Sequence, residues 1–223
     1  MAASDSTRWT VIRGAAAGNG SDRAEFARRY ASVIRSYLGA RWRGGALAGE
    51  VDDAAQEVFL QCFRPDGPLG RADPDAAGGF RAYLFGIVRN VARGVERARA
   101  KDRGRGAVDL DAIEAREEPL SKVFDRAWTA ALLRQAGERQ ERAAAGDPRR
   151  ERRVELLRLR FGHDLPIREI AKRWEVEAAG VHEEYRTARK EFLAALREVV
   201  AEHHGGTPAE VEAECMRLLD YLS

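Results

Sequence analysis

The sequence predicts an all-α protein of two small helical domains. Three observations carry this reading. Apolar residues recur at helical spacing along most of the chain, no stretch shows the two-residue alternation of a half-buried strand, and a glycine-containing acidic stretch separates two helical runs. The boundaries that follow are an N-terminal segment 1–21, a first domain 22–105, an acidic linker 106–121, a second domain 122–202 and a tail 203–223.

Thr7 to Ala16 is expected to form a short helix carrying Trp9 and Ile12, closed by Gly18-Asn19-Gly20. Asp22 with Glu25 three residues on has the form of a capping box, opening a helix whose apolar face is Phe26, Tyr30, Val33, Ile34 and Tyr37. From Val51 to Phe63 the buried stripe is Val51, Ala55, Val58, Phe59, Cys62 and Phe63, and Asp53, Gln56 and Glu57 share the opposite face. Simple stabilisation of the helix start also accounts for Asp52 and Asp53. Pro65 to Gly79 is a loop.

Phe80 to Lys101 carries two surfaces. Phe80, Leu84, Ile87, Val88, Val91 and Val95 form a core-facing stripe, while Arg89, Arg93, Arg97 and Arg103 fall on another face. Arg81, Tyr83 and Phe85 crowd the N-terminal end of that face, and Glu96 and Asp102 are the acids in reach. Cations track a phosphate backbone and exposed rings stack on unpaired bases, so the combination suits DNA that is being opened. A solvated arginine face with the rings in the core fits the same spacing.

After the acidic stretch Asp109 to Glu118, the apolar stripe Val123, Phe124, Ala127, Trp128 and Ala131 opens the second domain. Gly137 to Arg153 is very polar and reads as a helix extension or a loop. Val154, Leu157 and Phe161 lie on one helix, and Ile167, Ile170, Ala171 and Trp174 on a short second one. Val181, Tyr185, Ala188, Phe192, Leu196 and Val199 make the buried face of a longer third. Two such helices joined by a short turn suit a helix-turn-helix, whose second helix would present Ala179, His182, Glu183, Arg186 and Lys190 outward. An ordinary helical hairpin has the same pattern. In the tail, Val211, Cys215, Leu218, Leu219 and Leu222 form a stripe too apolar for so short a helix to stand alone in water.

With 44% hydrophobic and 33% charged residues and a net charge of +2, the chain is that of a soluble, charge-rich protein. Cys62 and Cys215 lack metal-ligand neighbours and are read as reduced thiols. No metal or cofactor is expected, and the four histidines share no ligand spacing with acids or cysteines. Neither a membrane-length apolar run nor a signal peptide is visible, so the expected location is the cytoplasm.

Together these stretches resemble the sigma-70 superfamily of bacterial RNA polymerase sigma factors, of the two-domain extracytoplasmic-function type. Asp52 to Phe63 looks like the helix that docks on the polymerase clamp, Phe80 to Ala92 like the promoter-melting segment, and Ile167 to Phe192 like the domain that reads the upstream promoter element. The resemblance implies polymerase contacts by Asp53, Gln56 and Glu57. It implies work on the minus-10 element by Tyr83, Phe85 and Asn90 beside Arg89, Arg93 and Arg97, and upstream-element contacts by Ala179, His182, Glu183, Arg186 and Lys190. Core RNA polymerase, promoter DNA and an anti-sigma or other regulatory protein are the implied partners, and no catalysis by the chain itself. Glu175 and Glu177 depart from the family pattern, which has a glycine in the turn and a Ser or Thr cap. Two rival readings are a stand-alone helix-turn-helix regulator and a helical interaction protein that has lost DNA binding.

Overall fold

In a computed structural model, residues 6–73, 76, 79–102, 110–203 and 207–220 are described. They are helical, with no strand among them, as the sequence predicts. The α-helices are α1 (Ser6–Ala16), α2 (Gly20–Arg41), α3 (Val51–Phe63), α4 (Gly79–Asp102), α5 (Leu110–Ala144), α6 (Pro148–Leu157), α7 (Ile167–Arg173), α8 (Ala178–His203) and α9 (Pro208–Asp220). The chain divides into two compact units: Met1–Ala131 with Glu202–Gly206, and Leu132–Ala201 with Thr207–Ser223.

In the first unit α2 is the central helix, burying Phe26, Tyr30, Val33, Ile34, Tyr37, Leu38 and Arg41 along one stripe. The Phe26 ring meets Phe59 and Phe63 of α3 and Phe80 of α4, with centroids 5.7–6.3 Å apart. Arg23 donates to the carbonyls of Ala15 (3.1 Å) and Phe63 (2.8 Å), tying the end of α1 to the end of α3. The cap of α2 is Asn19, whose side chain accepts from the Asp22 backbone N–H at 3.1 Å. Asp22 is therefore inside the helix and not its capping residue, and Glu25 instead pairs with Arg28 and Arg29, which hold its carboxyl down at about 2.

The expected linker 106–121 is not continuous loop, because α5 begins at Leu110. Its leucine, alanine, glutamate and arginine content favours helix, and Pro119 is carried inside. The expected domain boundary also shifts. Phe124 packs on Phe85 and Tyr37, with centroids 5.1 and 6.2 Å away, and Trp128 stacks on Tyr30 at 5.5 Å. The stripe that was to open the second domain thus belongs to the first unit, and the division falls within α5. His203 is also counted in this unit and is buried, with Nε2 3.1 Å from Tyr30 Oη.

In the second unit Asp147 caps α6 and Pro148 takes its first turn. Leu156, Leu159, Ile167, Ile170, Ala171 and Val181 form the core of the helix-turn-helix pattern. α6 ends at Leu157 and a π turn, Arg158–Gly162, follows, so Phe161 leaves the expected buried stripe and is 49% exposed. α9 does dock within this unit: Val211, Cys215 and Leu218 are buried, and Arg197 of α8 pairs with Glu212. Leu222 lies outside the described residues.

The turns that follow α1 and α7 use one device. After α1, Asn19 N–H bonds to Gly14 O and Gly18 N–H to Ala15 O; after α7, Val176 N–H bonds to Ala171 O and Glu175 N–H to Lys172 O. This is the Schellman pattern, which needs a left-handed residue before its last donor. Gly18 supplies it with φ 95°, but in the second turn Glu175 adopts φ 54°. A side chain with a Cβ pays about 1–2 kcal/mol there. Glu175→Gly should therefore raise the unfolding free energy by about 0.5–1 kcal/mol after the extra chain entropy of glycine is subtracted. The urea midpoint reads the gain, and an unchanged or lower midpoint would mean that the turn is relaxed.

Candidate functional site

Three exposed surfaces contain the residues singled out from the sequence. On α3, Ala54, Ala55, Val58 and Cys62 are buried, which turns Asp53 and Gln56 to solvent and leaves Glu57 half-buried. Glu57 accepts from Gln61 Nε2 at 2.9 Å and lies 3.9 Å from Arg64, so it is held in place along its own helix. Leu60, missed in the sequence reading, is 53% exposed. With Asp53, Gln56 and Glu57 it completes the i, i+3, i+4, i+7 row of one face, so its place outside the buried stripe was already visible. An exposed apolar side chain in one row with acid and amide groups suits a protein contact that mixes apolar and polar surface. Cys62 takes no part, since burial pushes its thiol up to about 12.

On α4 the core stripe is as expected, with Phe80, Leu84, Ile87, Val88 and Val91 buried and Val95 partly so. Asn90 and Arg97 are exposed, and Arg97 Nε donates to the Arg93 carbonyl at 3.2 Å. The rings are packed, as in the reading of a solvated arginine face with the rings in the core. Phe85 is half-buried between Tyr37 and Phe124, with the Arg89 guanidinium 5.9 Å from its centroid. Tyr83 donates its hydroxyl to Pro68 O at 2.5 Å, pinning α4 to the Pro68–Arg71 turn, and burial pushes its pKa up. Arg81 pairs with Asp125 of α5. Glu96, counted as an acid near the basic face, instead binds Arg41 and Trp42. Arg103 lies outside the described residues, as do the side chains of Asp111 to Glu118.

On α8, Ala179, His182, Glu183, Arg186 and Lys190 are all exposed and share one face, as the helical spacing requires. Arg186 pairs with Glu183 three residues earlier. Glu184, next to Glu183 in sequence, is held by α6: Arg153 donates to it at 2.6 Å and to Glu191 at 2.8 Å. The acids at the turn, Glu175 and Glu177, are exposed. Charge on this face is therefore mixed, with one cation partly neutralised by its neighbour and Lys190 facing outward.

Among the described residues, no group of three or more His, Cys, Asp and Glu side chains is placed to hold a metal ion, and no helix is long and apolar enough to cross a membrane. No family model matches the chain, and no curated protein matches it.

Proposed function

We propose that this chain is a transcription initiation factor of the sigma type, acting in the cytoplasm on core RNA polymerase and promoter DNA. The observation that carries the reading is the α3 face, where Asp53, Gln56 and Glu57 share one row with the exposed Leu60 on the side left free by the core. In this reading α3 docks on polymerase. α4 offers Asn90 and Arg97 to the promoter as it opens, and α8 offers His182, Glu183, Arg186 and Lys190 to the upstream element. The phosphodiester chemistry is the polymerase's. A regulatory protein could act by covering the α3 face.

The direct test is transcription of fragmented genomic DNA by purified core polymerase with and without the chain. Transcripts that start downstream of one shared sequence support the reading; their absence removes it. A second reading, the stand-alone regulator, rests on the separate core of the helix-turn-helix unit. It predicts duplex binding without polymerase.

Within the sigma-type reading, Asn90→Ala should reduce permanganate reactivity of thymines near the start site while leaving polymerase binding intact, since Asn90 is exposed and carries no packing. Arg97→Ala should lower the log–log salt slope of promoter binding by about 0.9, the value for one phosphate contact on duplex DNA. An unchanged slope would take Arg97 off the DNA.

A further inference from the structure

The second unit holds a groove of about 820 Å³ between α5, α6, α8 and α9. Val154 and Leu157 from α6, Leu193 from α8 and Leu219 from α9 give it an apolar lining, and Phe161 and Met216 stand at it 49% and 52% exposed. Pockets of roughly 300–1,000 Å³ with apolar walls and a few polar groups are the size class of small-molecule sites. Two large apolar side chains left in solvent at one opening are an unmet burial.

Charge at the groove is one-sided. On the α5–α6 side Arg158 is matched by Glu141 at 2.7 Å. On α8, Arg186 has Glu183, but no carboxylate among the described residues pairs with Arg189 or Lys190. A ligand that satisfies both features has a single anionic group at the α8 side and an apolar remainder across the floor. Gly137 adds an independent sign. It lies in the interior of α5 against the groove, where a Cβ would meet nothing within 4 Å, so glycine there keeps space open and no backbone contact requires it.

We infer that this groove is a binding site for a small amphiphile with one carboxylate or phosphate head, held by Arg189 and Lys190, and an acyl or aryl tail lying over Leu157 and Leu193.

The test uses the full chain with decanoate, decyl phosphate and methyl decanoate below their micellar range, read by displacement of anilinonaphthalene sulfonate fluorescence and by calorimetry. Saturable one-to-one binding of at least one anion, at least tenfold tighter than the uncharged ester, is the expected result, and the preferred anion identifies the head. Arg189→Gln with Lys190→Gln should weaken the anion tenfold or more and leave the ester unchanged. Gly137→Leu should abolish binding of all three while helicity and the urea midpoint stay the same or rise, which separates a filled groove from a misfolded unit. Overturning results are no saturable binding, equal affinity for anion and ester, or indifference to Gly137→Leu. Binding of an acidic amphipathic peptide in place of decanoate would also overturn the proposal and give the groove to a protein partner.

Discussion

Replacing Gln56 and Glu57 together with alanine should weaken binding to core RNA polymerase by about 2 to 5 kcal/mol, the cost of removing one side of desolvated polar pairs at an interface. That is a loss of about thirtyfold to several-thousandfold in affinity. Neither side chain fills the core: Gln56 is exposed, and Glu57 reaches along its own helix to Gln61 and Arg64. The change should therefore cost the fold about 0.5 kcal/mol or less. The two numbers differ enough to separate docking from helix maintenance. Titration of core polymerase with both proteins, with helicity and melting temperature measured in parallel, gives the answer. Equal affinities, or no binding by the unaltered chain, would remove the sigma-type reading and leave the stand-alone regulator in front. Leu60→Ala should add to the loss, since its burial is available only in a complex.

What the sequence revealed, and what it hid, divides along physical lines. α3 and the core stripe of α4 were legible because each packs one face on a core, and a one-sided environment writes a 3.6-residue period. The same period marked the α8 face. It could not say which partner a ring meets on the half-buried flank of a helix. Phe85 and Tyr83 lie beside the stripe of α4, and only the placement of Phe124 and of the Pro68 carbonyl turns them inward. The division inside α5 was hidden for a related reason: Phe124 and Trp128 show that a helix has an apolar face but carry no mark of which core takes it. Glycine and acid content hid the helix inside the linker segment, although glutamate, alanine and leucine from Leu110 onward favour it. Asn19 and Asp22 are both good caps, and only the bond that forms decides between them: the Asn19 side-chain oxygen accepts from the Asp22 N–H, which places Asp22 inside the helix. The left-handed turn at Glu175 was marked only by the resemblance, whose pattern has a glycine in that turn, because Glu itself rarely signals a left-handed position.

Glu96→Ala should be among the most destabilising single changes in the first unit, by about 3–5 kcal/mol. Arg41 near the end of α2 has its side chain only 4% exposed and Glu96 on α4 16%, so the pair sits largely out of water. The carboxylate accepts from Arg41 Nε at 2.7 Å on one oxygen and from Nη2 at 3.0 Å on the other, and the first oxygen also accepts from Trp42 Nε1 at 2.9 Å. Tyr37 Oη accepts from Arg41 Nη1 at 3.0 Å, which fixes the guanidinium plane. Such a pair gains little over apolar side chains of the same volume, because both charges had to leave water, but taking away one member strands the other charge. Truncating Glu96 leaves the guanidinium and the indole N–H without this acceptor, and that sets the size of the loss. Arg41→Met with Glu96→Leu should recover most of it, since neither charge is then left behind. The urea midpoint of the three variants measures this. A loss near 0.5 kcal/mol for Glu96→Ala would class the pair with exposed ion pairs. The result also bears on α4 as a nucleic-acid surface: if Glu96 is committed to Arg41 and Trp42, its charge is held on the α2 side of the helix, away from Asn90 and Arg97. The double substitution should then leave the salt dependence of DNA binding unchanged, and a steeper slope would show that Glu96 opposes the phosphates directly.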